Sequence, residues 1–256
     1  MATIYVYMYP LLFSILVSFF FINSLAPVEP SILFSFEKFD TSLLKFDSKI
    51  GVYCDAILDV DELSIKMTNA KKFSGGIVTY QQPIKIMEEK NPKRKGSFRT
   101  HFSFSMSPDK NEFGIMFVMS LLKGLPNALT RDFIGVKINI RHDDTQLFGN
   151  SDAANHVGLY ASTPPSAKFA NAADANLVLD SGERLQLWLD YEATSKRVEV
   201  RVAQWGKKRP VDPLLWLSVN LSKMFNTQDV FLTLASITGN STQVCKLYSW
   251  SFELRT

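Results

Sequence analysis

The side chains best suited to metal binding lie in one polar segment between positions 141 and 156. His142, Asp143, Asp144, Asp152 and His156 offer imidazole and carboxylate groups, which zinc and manganese accept as ligands. Their spacing is not the tight spacing of a metal-binding motif, and polar residues of a loop are ordinarily solvated. We therefore interpret this segment as a solvated loop rather than as a new transition-metal site.

The strand that leads into this loop carries polar groups on one face. Residues 136–141 alternate between apolar and polar types, so Lys137, Asn139 and Arg141 share a face that has no carboxylate. A second apolar strand begins at His156, after a long loop rich in turn-forming residues. Long loops between strands often carry function, and these two strands with their loop are therefore the first candidate site.

The acidic residues elsewhere do not form a hydrolytic site. Glycoside hydrolysis requires two carboxylates that face each other about 5 to 10 Å apart. The same-face pair Asp190 and Glu192 lies where a strand runs out into a turn. Glu199, flanked by Arg197 and Arg201, indicates a surface charge ladder. The sequence also shows no Ser/His/Asp set, Cys/His pair or phosphate loop, and we predict that the protein is not an enzyme.

The elements that must position these residues are strands, which predicts an all-β fold. Residues 184–190 and 197–202 alternate in polarity around a short polar segment, as expected for a hairpin with one buried face. His101 points out of the alternating strand 98–104, which predicts a surface position. The 20 Phe, 8 Tyr and 4 Trp in 256 residues suit a full-sized β core, and a net charge of +3 is too small to indicate nucleic-acid binding.

The order of the strand signals resembles the legume (L-type) lectin domain, and within it the divergent plant group that includes lectin-receptor-kinase ectodomains, here without a kinase. The clearest motifs are Tyr-Gln-Gln-Pro at 80–83, Asn-His-Val-Gly-Leu at 155–159 and Leu-Trp-Leu-Asp-Tyr at 187–191. Further motifs follow the family's order at 31–39, 54–56, 63–69, 97–105, 113–118 and 248–252. The resemblance implies a concanavalin-like jelly-roll β-sandwich of two antiparallel sheets over residues 27–256, with carbohydrate binding as its function.

The resemblance also implies that metal ligands have changed. The family's paired acids for calcium and a transition metal align with Lys137 and Asn139. A calcium-binding Asn aligns with Asp143, Asp152 lies one residue from the position of a loop Asp, and only His156 keeps the family's ligand identity. Calcium prefers about six to eight oxygen ligands, several of them charged, and an ammonium repels it. We therefore predict that the Ca²⁺ and Mn²⁺ of the family are lost and that no cofactor is used.

A specific hypothesis follows for the cation that replaces an acid. The ammonium of Lys137 takes the place of the metal by bridging Asp143 or Asp152, and it holds the loop without calcium.

The sugar contacts implied by the resemblance have changed as well. The family's sugar-binding Asp aligns with Phe113, beside Glu112, and its stacking aromatic residue aligns with Arg141. The family's Gly-rich loop is shortened here to residues 123–131. A degenerate monosaccharide pocket is therefore predicted around Glu112, Phe113, Arg141 and Asp143.

Three classes of function stay open on this basis. The first is a carbohydrate-binding protein whose partner is a glycan or a cell-wall polysaccharide. The second is a lectin-fold interaction or defence-related protein that binds a protein or an apolar small molecule, which Phe113 in place of an acid favours. The third is a glycoside hydrolase. Because the family often dimerises, a homodimer is a further expectation.

The N-terminal residues predict entry into the secretory pathway. The first 28 residues have no charged side chain, and the apolar run at 11–21 precedes the small residues Ser24 and Ala26. We predict a signal peptide at 1–26, with an uncleaved anchor as the alternative, and a protein secreted to the apoplast with no further membrane span.

The sequons at Asn220 and Asn240 are then candidate glycosylation sites, and Asn240 lies in a predicted loop tip.

Cys54 and Cys245 are the two cysteines of the chain. An oxidising compartment permits them to pair, and the resemblance implies neighbouring first and last strands that would bring them together. Two separate buried thiols are the alternative, and the sequence leaves both open.

Overall fold

The computed structural model describes residues 31–44, 49–86, 96–108, 114–124, 132–139, 155–162, 165–226 and 228–255. In this part of the chain the strands are β1 (Ser31–Phe36), β2 (Ile50–Cys54), β3 (Ile57–Asp59), β4 (Ser64–Lys66), β5 (Gly75–Tyr80), β6 (Ile84–Lys85), β7 (Ser97–Met106), β8 (Ile115–Ser120), β9 (Phe133–Asn139), β10 (His156–Ser162), β11 (Pro165–Asn171), β12 (Leu185–Glu192), β13 (Arg197–Gln204), β14 (Leu215–Ser218), β15 (Asp229–Ile237) and β16 (Cys245–Arg255).

The strands form two antiparallel sheets, which confirms the predicted all-β architecture. Sheet 1 has the order β14-β13-β12-β7-β16-β4-β3, with β1 also paired to β16. Sheet 2 has the order β11-β10-β9-β8-β15-β5-β2, with β6 also paired to β15. The first and last strands of the described chain are therefore neighbours in sheet 1, as the family resemblance implied.

Aromatic rings pack the two sheets against each other. Phe34 of β1 stacks on Tyr80 of β5 with their ring centroids 4.4 Å apart. Trp250 of β16 meets Phe117 of β8 edge to face at 6.4 Å. Trp250 is completely buried, and its Nε1–H donates to Thr100 Oγ1 at 3.0 Å. The core therefore buries a large aromatic side chain without leaving its polar group unsatisfied.

The predicted hairpin is formed by β12 and β13, which pair from Leu185↔Gln204 to Glu192↔Arg197. Alternation turns the apolar side chains of both strands into the core, where the following are buried: Leu185, Leu187, Leu189, Val198, Val200 and Val202. The outer face of sheet 1 consequently carries the polar members of the same strands.

Helices are short in the described residues. They are the 3-10 helices Thr41–Leu44 and Ala172–Ala175 and one α-helix, α1 (Leu221–Phe225). Asn220 caps α1, because its side chain accepts a hydrogen bond from the backbone N–H of Lys223 at 3.2 Å. Across the described ranges, no helix combines the length and apolar character needed to cross a membrane.

The two cysteines, whose pairing the sequence left open, occupy different sheets. Cys54 ends β2 in sheet 2 and is exposed, whereas Cys245 begins β16 in sheet 1 and is buried, and both are free thiols. The expectation relied on neighbouring first and last strands, but the first strand is β1, which carries no cysteine. The alternative was two separate buried thiols, and it holds for Cys245 but not for the exposed Cys54.

His101 lies on the outer face of sheet 1, yet it is not the simple surface residue that we predicted. Its ring stacks on Trp188 with centroids 4.9 Å apart, and its Nε2 lies 3.3 Å from Gln186 Oε1. Burial is the main cause that lowers the pKa of His101 below its ordinary value. Cross-strand packing, which the alternation pattern does not report, therefore removes much of this ring from solvent.

Candidate functional site

The two strands singled out in the sequence are adjacent in sheet 2. β9 ends at Asn139 and pairs with β10, which begins at His156, so that Asn139 lies opposite His156 and Lys137 opposite Gly158. Val136 and Ile138 turn into the core, which places Lys137 on the outer face. The predicted alternation and the predicted start of β10 are both confirmed.

Lys137 and His156 are both nearly enclosed. The exposed fraction is 8% for Lys137 and 2% for His156. The His156 ring packs edge to face against Phe169 of β11, with centroids 5.7 Å apart, and Phe169 packs in the same way against Tyr160 at 5.6 Å. The sequence reasoning missed Tyr160 and Phe169, although Tyr160 follows His156 on the same face of β10 and the strand alternation could have found it.

A small apolar cluster lies beside these residues on the outer face of sheet 2. Its members are buried and come from three neighbouring strands: Met116, Val118, Phe133 and Tyr160. An amphipathic strand with one face in water would place polar residues at such positions. The outer face of sheet 2 is therefore apolar next to Lys137 and His156.

Close backbone packing positions the start of β8 against β9. A Cβ atom on Gly114 would lie 2.0 Å from the carbonyl oxygen of Ile138, so only glycine fits there. Ser236 Oγ donates to the Gly114 carbonyl oxygen at 2.9 Å and fixes the same point. The two residues before Gly114, Glu112 and Phe113, are predicted site residues that lie outside the described residues.

Asn155 organises the entry to β10. Its φ of 58° is in the left-handed region, which Asn tolerates better than most residues. Its side-chain Nδ2 donates to the Leu177 carbonyl oxygen at 2.9 Å, and its Oδ1 accepts from the Leu179 N–H at 2.9 Å. This residue therefore ties β10 to the segment after the second 3-10 helix, a role that its sequence neighbours do not indicate.

The described residues do not fit the family's calcium and manganese pair. The aligned positions in this part of the chain supply an ammonium (Lys137), an amide residue (Asn139) and an imidazole (His156). Among the described residues, no group of three or more His, Cys, Asp and Glu side chains could hold a metal ion. Arg141, Asp143 and Asp152, like the loop that contains them, lie outside the described residues, and their roles stay predictions.

A second polar constellation lies on the outer face of sheet 1, where the sequence indicated a surface charge ladder. Asp190 contacts three arginines: Arg99 Nε at 2.6 Å, Arg201 at 3.2 Å, and Arg209. The side chain of Arg201 is only 7% exposed and also binds Glu199 at 2.6 Å. The ladder is thus a partly buried network in which Asp190 is engaged by three arginines.

The two sequons differ in their surroundings. Asn240 is exposed in a tight turn that is closed by a hydrogen bond from the Ser241 N–H to the Thr238 carbonyl oxygen at 2.9 Å. Asn220 is half-buried, and its side-chain oxygen caps α1. The geometry therefore supports Asn240 as the more accessible acceptor.

Comparison with known proteins agrees with this architecture. The legume lectin domain family matches residues 31–256. Among Arabidopsis thaliana proteins, the chain is 30% identical to L-type lectin-domain containing receptor kinase IV.2 over 214 residues, which is 74% of this chain and 31% of that protein. It is 28% identical to receptor kinase VII.1 of the same group over 233 residues, covering 80% and 33%. The chain thus spans about a third of the length of the curated relatives it matches.

Solved structures show the same fold. Winged bean acidic lectin, complexed with methyl-alpha-D-galactose, superposes with a TM-score of 0.67 at 20% identity, covering 89% of this chain and 99% of that chain. Arcelin-5, a lectin-like defense protein from Phaseolus vulgaris, has a TM-score of 0.63 at 17% identity, with coverage of 88% and 98%. At these identities the likeness concerns the fold.

Proposed function

The chain belongs to the legume lectin domain family, and from that premise we propose that it binds carbohydrate without the calcium and manganese pair that the family typically uses. The legume lectin domain is a non-enzymatic carbohydrate-binding domain, which supports a non-enzymatic role for residues 31–256. The observation that carries the metal-free proposal is Lys137, which is nearly enclosed on the outer face of sheet 2 where the family places an acid.

The electrostatic argument can be given a magnitude. Two unit charges 4 Å apart interact by about 4 kcal/mol at an effective dielectric constant near 20, so a divalent cation beside an ammonium is repelled by about 8 kcal/mol. Binding with a micromolar dissociation constant is worth about the same free energy. The repulsion from Lys137 would therefore cancel the affinity of an ordinary calcium site.

Thermal unfolding tests the metal-free state directly. We expect the melting temperature to change by less than about 1 °C on adding calcium plus manganese, or on adding chelator. A ligand at about a hundred times its dissociation constant would add about 2.7 kcal/mol and raise the melting temperature by several degrees. Such a rise would contradict the proposal.

A matched variant sharpens this measurement. Replacing Lys137→Glu together with Asn139→Asp restores the two acids that the family carries. We expect this double variant to acquire a melting temperature that chelator lowers, while the parent protein does not respond. A glycan array with and without chelator then tests sugar binding, and loss of all binding in chelator would argue against a metal-free lectin.

The role proposed for Lys137 as a replacement for the metal has its own test. We propose that its ammonium bridges Asp143 or Asp152. A double-mutant cycle of Lys137→Met with Asp143→Asn, and a second with Asp152→Asn, measures each coupling. We expect one cycle to give a coupling free energy of about 1 to 3 kcal/mol, and additivity in both would exclude the bridge.

We also propose that residues 1–26 are a cleaved signal peptide and that the mature protein is secreted to the apoplast. The uncharged apolar N-terminal stretch and the exposed sequon at Asn240 support this proposal. Expression in plant cells, followed by N-terminal sequencing of the medium fraction, should give a chain that begins near residue 27. Asn240→Gln should remove a glycan, and retention of the protein inside the cell with its leader intact would argue against secretion.

A second candidate function is the binding of an apolar small molecule or a protein, including a second copy of this chain. Phe113 in place of the family's acid favours it, and the buried apolar cluster of Met116, Val118, Phe133 and Tyr160 would support an apolar site on the same face of sheet 2. A fluorescent apolar probe that binds the native protein and competes with no glycan would support this function. Light scattering at several concentrations would reveal a homodimer.

A further inference from the structure

A cavity of about 420 Å³ opens on the outer face of sheet 1, where the β12–β13 hairpin turns. This volume lies within the usual range for small-molecule sites, about 300 to 1,000 Å³. The polar residues that matter for its chemistry are Ser97, Arg99, Glu192, Arg197, Arg209 and Arg255. The cavity belongs to sheet 1, whereas the family-aligned positions Lys137 and His156 belong to sheet 2.

Arginine side chains dominate the charge of this cavity. Four arginines line it, together with the carboxylates of Asp190, Glu192 and Glu199. A fifth arginine, Arg201, bridges Asp190 and Glu199 from a nearly buried position. The neighbouring Glu253 binds Arg255 at 3.1 Å. With Glu253 included, the cluster contains five arginines and four carboxylates. The cluster therefore keeps an excess positive charge.

Hydrogen-bond donors are also in excess. Each guanidinium carries five N–H groups, and each carboxylate accepts roughly four hydrogen bonds. In the described part of the chain, the buried Nε of Arg209 has no hydrogen-bond partner, although its terminal nitrogen binds Asp190. Arg197 Nε lies 2.8 Å from Glu199 Oε1 but outside hydrogen-bonding geometry. Although both Nε atoms are buried, the two side chains are 36% and 33% exposed, so a negatively charged ligand could reach the exposed part of each arginine.

The cavity is larger than a simple inorganic anion requires. A water molecule takes about 30 Å³ of liquid volume, so the space exceeds that of one small solvent-sized group more than tenfold. Ser97 Oγ and the Glu192 carboxylate lie 3.1 Å apart on one wall and are partners of the kind that hydroxyl groups use. The cavity thus combines guanidinium groups, which bind planar carboxylates, with a serine hydroxyl and a glutamate carboxylate, which can hydrogen-bond to hydroxyl groups of a ligand.

We propose that this cavity binds a uronate, that is, a sugar residue whose carboxylate pairs with the guanidinium groups of Arg209 and Arg197 and whose hydroxyls reach Ser97 and Glu192. The site is separate from the family-aligned one, so it stands whether or not sheet 2 binds carbohydrate. An acidic saccharide of the cell wall has this chemistry.

The competing explanation is that the network only supports the fold. Arg201 Nε donates to the Val211 carbonyl oxygen at 3.3 Å, and Gln186 Nε2 donates to the Lys207 carbonyl oxygen at 2.9 Å, so the same face also anchors the segment between β13 and β14. Arg209 lies in that segment and binds Asp190, whereas Arg255 lines the cavity from β16, so a test must include a variant of Arg255.

Titration calorimetry at low salt with digalacturonate, and with its neutral methyl ester as the matched ligand, tests the proposal. We expect the full-length protein to bind the acid and not the ester. Arg209→Gln should weaken binding about tenfold or more, and Arg255→Gln, at the more exposed rim, about threefold. Lys208→Gln, an exposed cation of the same segment outside the cavity, should leave binding unchanged.

Several results would overturn the assignment. These are no binding of digalacturonate, equal binding of the methyl ester, or unchanged binding in both arginine variants. Displacement by inorganic phosphate at equal concentration would show a simple anion site and exclude the sugar class. If Arg209→Gln does not fold, Arg255→Gln decides alone. The Lys137→Glu and Asn139→Asp double variant should bind digalacturonate normally, which separates this test from that of metal-free lectin activity.

Discussion

The outer faces of the two sheets differ in how many charged side chains they carry and in how enclosed those side chains are. On sheet 2, Lys137 and His156 are nearly enclosed beside an apolar cluster, at positions that the family resemblance aligns with metal ligands. On sheet 1, five arginines and four carboxylates share one partly open network around a cavity. Because the sandwich core constrains only the inward-facing residues, each outer face was free to change its chemistry without changing the fold.

The largest difference expected between the sheets concerns their thiols. Burial raises the pKa of Cys245, in sheet 1, to about 12, so only about one part in ten thousand is thiolate near pH 8. Cys54, in sheet 2, is exposed. We expect iodoacetamide to label Cys54 alone in the native protein and both residues in urea, as counted by mass spectrometry.

Two outcomes of this labelling would break the comparison. A chain that takes no label until it is reduced would contain the Cys54–Cys245 bridge. Rapid native labelling of Cys245 would show that the start of β16 is open to solvent.

The next largest effect is expected from the centre of the arginine network. Asp190→Asn leaves Arg99, Arg201 and Arg209 without their shared carboxylate, and the Asp190 side chain is only 16% exposed. Removing one partner of a buried ion pair costs about 3 kcal/mol or more. Urea unfolding should show a loss of that size in the free energy of unfolding.

An exposed ion pair of the same sheet provides the control. Lys246 binds Glu62, whose side chain is 46% exposed, so Glu62→Gln should cost less than about 1 kcal/mol. If Asp190→Asn lowers the free energy of unfolding by no more than Glu62→Gln does, the network is a solvated charge ladder and its partial burial adds nothing to stability.

The smallest effect is expected from pH. Burial lowers the pKa of His101, with Arg184 acting in the same direction and Gln186 and Asp190 opposing it. The unfolded chain therefore binds this proton more readily than the folded chain. The stabilising contribution is complete above the ordinary pKa of about 6.5 and is lost as pH falls through that value towards the folded pKa.

Urea unfolding at several pH values checks this sign. The free energy of unfolding should fall below about pH 6.5. His101→Phe, which retains a ring for stacking on Trp188, should show a smaller decline. An identical decline in both proteins would assign the pH dependence to other groups.

Local alternation made most of the sheet structure predictable. The inward side chains of β12 and β13, the outward position of Lys137 and the start of β10 at His156 follow from a period of two residues, which any strand must obey. Motif order predicted the family. Glu112, Phe113, Arg141, Asp143 and Asp152 lie outside the described residues, so their predicted roles depend on the experiments above.

Partners that are distant in sequence could not be predicted in the same way. Asp190 meets Arg99, Arg201 and Arg209 because β7 pairs with β12 and because the segment after β13 folds back over the sheet. Arg209 follows Lys207 and Lys208 in the chain, and this run of basic residues gives no sign of a carboxylate partner. Cross-strand packing likewise covered His101, whose neighbours on its own strand give no sign of Trp188.

The sequence by itself determined the all-β class and the family, and it predicts the exchange of metal-binding acids for Lys137 and Asn139, since these depend on residue types and on short-range periodicity. Only the tertiary structure decided that Cys54 and Cys245 lie in different sheets and that arginines from three separate segments meet around Asp190. The physical reason is that strand order and register set which side chains meet across a sheet, and each strand's own sequence constrains them only weakly.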